Sequence, residues 1–197
     1  MEKVLVIPTD IISPYLGNNS FIIENVDEIV NLIKKNYLYV NRTYAEHAKE
    51  YKQIIPYVVL IHNAEIFLTQ RLKAQTEKRL HGMFSIGLGG HINPSEATKK
   101  DFILEGMRRE LYEEVGLNNV TNEKLVGIIN DQSAEVSNYH IGLVYIMYVS
   151  EAINVRETKK MIGQWITPNK MHLYYNCMES WSQIVWDARK RWYSGKE

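Results

Sequence analysis

Apolar residues recur along this chain at two distinct periods. In "VDEIVNLIKKNY", Val26, Ile29, Val30 and Ile33 fall at helical spacing. In "FILEGMRRELYEEV", Ile103, Met107, Leu111 and Val115 recur every fourth residue, and Gly116 follows where a helix commonly ends. Trp181, Ile184, Val185, Ala188 and Trp192 predict a last helix within "MESWSQIVWDARKRW". Elsewhere the pattern is that of strands. "KVLVIPTDII" reads as a strand interrupted at Pro8. The run Ile54 to Ile61, then "HNAE", then Ile66 to Leu72 is a hairpin signal. "KLVGIIND", "YHIGLVYIMYVS" and "GQWIT" supply further strands, and "MFSIGLGGHI" a glycine-rich strand end. Residues 37 to 53 carry neither period. Strands interspersed with helices imply an α/β (α+β) sandwich.

Composition adds exclusions. With 197 residues and 45% hydrophobic content the chain can bury a substantial core. Lys plus Arg and Asp plus Glu both total 23, so no global charge favours nucleic acid or an anionic membrane. The single cysteine, Cys177, excludes an intramolecular disulfide and a cysteine-based zinc cluster. The short N-terminal apolar run, broken by Pro8 and Asp10, is not a signal peptide, and no stretch approaches the ~18 apolar residues of a membrane span. A cytoplasmic location is the default expectation.

One segment changes the picture. Glu110, Glu113 and Glu114 share a helix face, while Leu111 and Val115 turn to the core. Carboxylates at that density repel one another, but offer hard oxygen ligands to Mg²⁺ or Mn²⁺. Gly87, Gly89 and Gly90 remove side chains where a carbonyl or phosphate would approach. Alone, a Glu-rich turn is usually a solvated face and a glycine run usually a turn. Their conjunction in one segment is far rarer.

That segment, "GGHINPSEATKKDFILEGMRRELYEEVGL", resembles the signature of the Nudix hydrolases. The signature runs Gly, five residues, Glu, seven residues, then Arg-Glu-U-x-Glu-Glu-x-Gly-U, with U aliphatic. "RELYEEVGL" fits its second half, and Gly90 to Glu96 keeps its first spacing. Twelve residues rather than seven separate Glu96 from Arg109, so the middle is five residues too long. Two acids therefore compete to brace Arg109: Glu96 keeps the spacing to the glycine, Asp101 the spacing to the helix. Asp101 also suits a helix N-cap, and the longer reach of glutamate favours Glu96.

The resemblance implies a Nudix-type α/β/α sandwich with a mixed sheet over residues 51–197; residues 1–50 fall outside it and are expected to form an N-terminal α/β extension packed on that core. It implies hydrolysis of a diphosphate linked to another moiety in a small, nucleotide-like metabolite. Glu110, Glu113, Glu114 and the Gly90 carbonyl would ligate Mg²⁺ or Mn²⁺, with Glu110 or Glu114 as general base. Glu157, and after it Glu135, are candidates for a further acid from a later loop; His91 and Arg71 could meet a phosphate. Gln132, Ser133 and Ala134 occupy the positions where some subfamilies carry a diagnostic proline or tyrosine. The 13 tyrosines would suit a homodimer interface or a nucleobase pocket. The competing reading is a catalytically silent ligand-binding module on the same fold.

Overall fold

The computed structural model describes residues 2–72, 81–118, 122–133 and 136–193. The strands are β1 (Lys3–Pro8), β2 (Phe21–Ile22), β3 (Leu38–Asn41), β4 (Tyr51–His62), β5 (Glu65–Arg71), β6 (Phe84–Ser85), β7 (Lys124–Ile129), β8 (His140–Tyr148) and β9 (Met161–Ile166). The helices are α1 (Thr9–Leu16), α2 (Val26–Asn36), α3 (Arg42–Ala45), α4 (Phe102–Val115) and α5 (Ser180–Asp187). One mixed sheet runs β2-β7-β8-β4-β1-β3, and β5, paired to the far end of β4, carries β6 and β9.

The length of β4 explains the branching. One edge of it pairs in parallel with β8 from Gln53↔His140 to Ile61↔Tyr148. The other edge is shared: β1 takes its first residues (Pro8↔Tyr51, Val6↔Gln53) and β5 its last (Ile61↔Ile66, His62↔Glu65). Between them the sheet splays, and the segment after β6 fills the gap. Val58 and Leu88 exchange backbone hydrogen bonds of 2.8 and 2.9 Å there. Pro56, which has no N–H to offer, falls on the same edge, where a strand tolerates proline. A Cβ on Gly89 would lie 1.9 Å from the Pro56 carbonyl oxygen, so only glycine permits this approach.

Both faces are covered, which gives the α/β/α sandwich expected of the sequence. On one face α1, α2 and α4 bury Ile12, Leu16, Ile29, Ile33, Ile103, Met107, Leu111 and Val115 against Ile54, Leu60, Ile141 and Leu143. On the other, Val185 and Trp186 of α5, with Met171, Met178 and Trp192, cover Val59, Val144 and Ile146.

Two local expectations are corrected, and one gap is filled. "KVLVIPTDII" is not one strand: β1 stops at Pro8, and Ile12 and Leu16, one turn apart, carry α1 to the core. The final helix does not run through Trp192; α5 ends at Asp187, and Trp192 returns to donate its indole N–H to the Val185 carbonyl at 3.0 Å. The unassigned stretch 37–53 holds β3, α3 and the start of β4.

The N-terminal fifty residues form part of the sheet and steady the segment ahead of α4. Leu5 of β1 donates to the Ile92 carbonyl at 2.9 Å. Lys34 of α2 reaches Asp101 at 2.7 Å, and the Tyr37 and Phe102 rings pack at a 42° tilt with centroids 4.5 Å apart.

Candidate active site

Helix α4 sets the geometry. Its stripe of Ile103, Met107, Leu111 and Val115 is buried, and each such side chain contributes about 1.5–3 kcal/mol. Repulsion between carboxylates four residues apart costs only a few tenths of a kcal/mol. Packing therefore decides the rotation of α4, and the glutamates go where it puts them. Gly116, at φ 70°, ends the helix with a left-handed residue, as its position implied.

Arg109 is the hub. Its Nε donates to Glu96 Oε1 at 3.0 Å and its Nη2 to the His91 carbonyl at 2.7 Å. Nη1 lies 2.8 Å from Glu110 Oε1 and 3.2 Å from Glu113 Oε2. Glu96 is buried and doubly committed: it also accepts from the Asn93 N–H at 2.6 Å, closing a capping box around the 3-10 turn Pro94–Glu96. Asp101 does something else. It caps α4 by accepting from the Leu104 N–H at 3.3 Å and pairs with Lys34. The two acids thus divide the work, and the extra residues lie between them as a turn outside the Arg109 network.

The three glutamates do not point into one cage, as their shared face had suggested. Among the described residues, no three His, Cys, Asp or Glu side chains come together as a ready-made metal cluster. Arg109 draws Glu110 and the exposed Glu113 to itself. Glu114 turns inward, and its Oε2 is buried with no hydrogen-bond partner. Burial, with the nearby Glu110 charge, pushes the Glu114 carboxyl up to about 8, against the opposing pull of Arg71. Burial also raises Glu110, although the Arg109 charge opposes it. At Gly90 an added Cβ would sit 2.5 Å from the Glu110 carboxyl carbon, so the loop backbone lies directly against that carboxylate.

Other predicted residues are distributed around this centre. Glu157 is close enough to raise the carboxyls of Glu110 and Glu114, and is itself paired to Lys160 at 2.7 Å. Its loop is clipped to the end of α4: the Arg156 and Glu157 N–H groups donate to the Glu114 carbonyl at 2.7 and 3.3 Å. The Arg156 guanidinium also lies 4.6 Å over the Tyr112 ring. His91 shares a hydrogen bond with Gln53 Oε1 at 2.9 Å. Burial, then the charges of Arg42, His140 and Arg109, hold His91 down at about 3, so it is neutral. Arg71 forms a half-buried ion pair with Glu179. Glu135 lies outside the described residues.

Sequence reasoning passed over Arg156 and Glu179. Glu179 stands at the N-cap position of α5, where an acid suggests only a helix cap. Its pairing with Arg71, 108 residues away, carries no sequence signal.

A mixed α/β/α sandwich with this Arg-Glu network on the second half of α4 is the Nudix architecture, and known proteins agree. The chain is 35% identical over 170 residues to protein YmaB of Bacillus subtilis (strain 168), covering 82% of each. Its fold matches the crystal structure of Tm1382, a candidate Nudix hydrolase, with TM-score 0.81 and 26% identity over 95% of this chain and 97% of that one. A more distant match is the bifunctional NMN adenylyltransferase/ADP ribose pyrophosphatase of Francisella tularensis, crystallised with AMP and a manganese ion. That match has TM-score 0.51 and 18% identity over 71% of this chain and 41% of that one. No protein-family model matches the chain. The chain belongs to the Nudix hydrolase family. Among the described residues, no helix is long and apolar enough to cross a membrane.

Proposed function

We propose that this protein is a divalent-metal-dependent hydrolase that cleaves a diphosphate bond in a small, nucleotide-like phosphorylated metabolite. The observation that carries it is Glu114. A buried carboxylate oxygen without a partner is costly, and a cation beside it would offset that cost. Glu110, Glu113, Glu114 and the Gly90 carbonyl would hold Mg²⁺ or Mn²⁺, with Glu157 nearby. Bound there, such a cation neutralises phosphate oxygens and activates a water for attack on phosphorus. The Francisella relative, with its manganese ion and AMP, supports that choice of metal and ligand class.

The remaining work falls to the chain. Arg109, anchored by Glu96 and the His91 carbonyl, fixes the rotation of Glu110 and Glu113 against the glycine loop. Glu110 or Glu114 takes the proton of the attacking water; burial raises the proton affinity of both, as a base working near neutrality requires. Arg71 presents positive charge to a substrate phosphate, whereas neutral His91 spends its one N–H on Gln53 Oε1 and contributes its backbone carbonyl to Arg109.

The second reading, a binding module without turnover, draws on Arg109 occupying two of the three carboxylates. A panel of diphosphate compounds with Mg²⁺ or Mn²⁺ separates the two, with phosphate and nucleoside monophosphate release as the readout. Turnover by the native chain and a roughly hundredfold fall in Gly90→Ala, whose Cβ displaces Glu110, are expected. No product from any compound would give the second reading the lead.

A further inference from the structure

We propose that Arg156 is a positioning residue for the cation site: it caps the C-terminal end of α4 from outside the helix, and so delivers Glu157 beside Glu114 as a further oxygen ligand. This rests on the metal-site reading above and deepens it, because Arg156 acts on the cation only through Glu157.

Three observations carry it. First, the last carbonyls of a helix have no partner within it, and at α4 two segments supply them. Gly116 and Leu117, just past the end, donate to the Tyr112 and Leu111 carbonyls at 2.9 and 3.3 Å. The Glu114 carbonyl accepts instead from the N–H groups of Arg156 and Glu157, far along the chain, at 2.7 and 3.3 Å. Second, the Arg156 side chain grips the same turn. Its guanidinium lies 4.6 Å over the Tyr112 ring, and its Nη1 donates to the Tyr112 carbonyl at 3.4 Å. A positive charge suits both the negative end of a helix and an aromatic face. Beside a site for a divalent cation that charge is unfavourable, so the use of an arginine there is mechanical. Third, Glu157 is fixed on its other side as well. Its carbonyl accepts from the Lys160 and Met161 N–H groups at 2.8 and 3.2 Å, and Met161 opens β9. The Glu157 backbone is thus held between the end of α4 and the sheet. Its carboxylate, 30% exposed, is paired at 2.7 Å to the half-exposed Lys160 ammonium. An exposed pair of this kind is worth little, so a divalent cation at Glu114 can take the carboxylate over. The Glu157 charge already reaches the site, where it raises the carboxyls of Glu110 and Glu114.

The test is Mn²⁺ binding to the full-length protein without substrate, measured by calorimetry in a double-mutant cycle. Arg156 is exposed, so Arg156→Ala leaves the fold in place. It should weaken Mn²⁺ binding about tenfold, the usual cost of losing a residue that orients a ligand. Charge alone predicts the opposite, since removing a positive group from beside the site should tighten binding. Glu157→Gln should cost at least as much. The double variant Arg156→Ala/Glu157→Gln should lose no more than Glu157→Gln alone, because the arginine then has nothing left to position. Native or tighter affinity in Arg156→Ala overturns the proposal, as does native affinity in Glu157→Gln. So do losses that multiply in the double variant, which would mark an effect of Arg156 on α4 itself. A native protein that binds no Mn²⁺ at all would instead overturn the metal-site reading on which the proposal rests.

Discussion

Replacing Glu114 by glutamine removes a carboxyl that the metal-free protein can ionise only at a cost. The Glu114 carboxyl is raised from 4.5 to about 8, first by burial and then by Glu110. At 1.36 kcal/mol per unit this sets a ceiling of about 5 kcal/mol on the penalty for ionising it in the folded state. Part of the residue still meets solvent, and relaxation and water penetration reduce such ceilings severalfold, so about 1–2 kcal/mol is expected. The sign follows from linkage. A carboxyl with a raised folded value favours the folded state below about 4.5, and loses that contribution as pH climbs through about 8. The native protein in chelator should therefore lose stability between pH 5 and pH 9, while Glu114→Gln should not. For a chain of this size, 1–2 kcal/mol corresponds to roughly 3–6 °C in Tm. Thermal unfolding in EDTA at pH 5, 7 and 9 measures the gap between the two proteins, which should be small at pH 5 and widest at pH 9 in favour of glutamine. Saturating Mn²⁺ should then reverse the order by stabilising the native chain alone. A gap that stays constant across pH refutes the argument, because Glu114 would then not be the titrating group.

Two further outcomes follow from the same network. Glu96→Gln takes the charge from the Arg109 bridge and the Asn93 cap together, so it should cost about 1–3 kcal/mol in urea unfolding and lower turnover with it. Asp101→Asn keeps a helix cap and loses only a one-third-exposed pair with Lys34, costing at most about 1 kcal/mol; equal losses from the two would refute the division of roles. His91, held at about 3 against 6.5 unfolded, contributes stability above pH 6.5 that is lost as pH falls toward 3. His91→Gln should flatten that acid limb of the urea midpoint, and an unchanged slope would place the titration elsewhere.

Much of this molecule is written locally. The period of Ile103, Met107, Leu111 and Val115 yields α4, Gly116 ends it, and the two-residue link between His62 and Glu65 turns the β4–β5 hairpin. Asn63 and Ala64, both with positive φ, form that link. The Arg109 and Glu96 contact was readable as one of two options, because spacing alone kept Asp101 in play. Only the fold separates them: Lys34, from α2, claims Asp101, and the capping box at Asn93 turns Glu96 inward.

Sequence by itself determined the elements whose signal lies within one turn or one strand, and the set of acids that concentrate on α4. Tertiary structure decided everything that depends on partners far along the chain. The parallel pairing of β4 with β8, β1 inserted between β3 and β4, the splayed edge that admits Gly89, and the pairing of Arg71 with Glu179 are all of this kind. The physical reason is one of range. Periodicity and capping report forces between residues three or four apart, whereas burial and charge depend on what folding brings alongside. Glu113 and Glu114 are neighbours of identical chemistry; packing of α4 leaves the first in solvent and seals an oxygen of the second away from it.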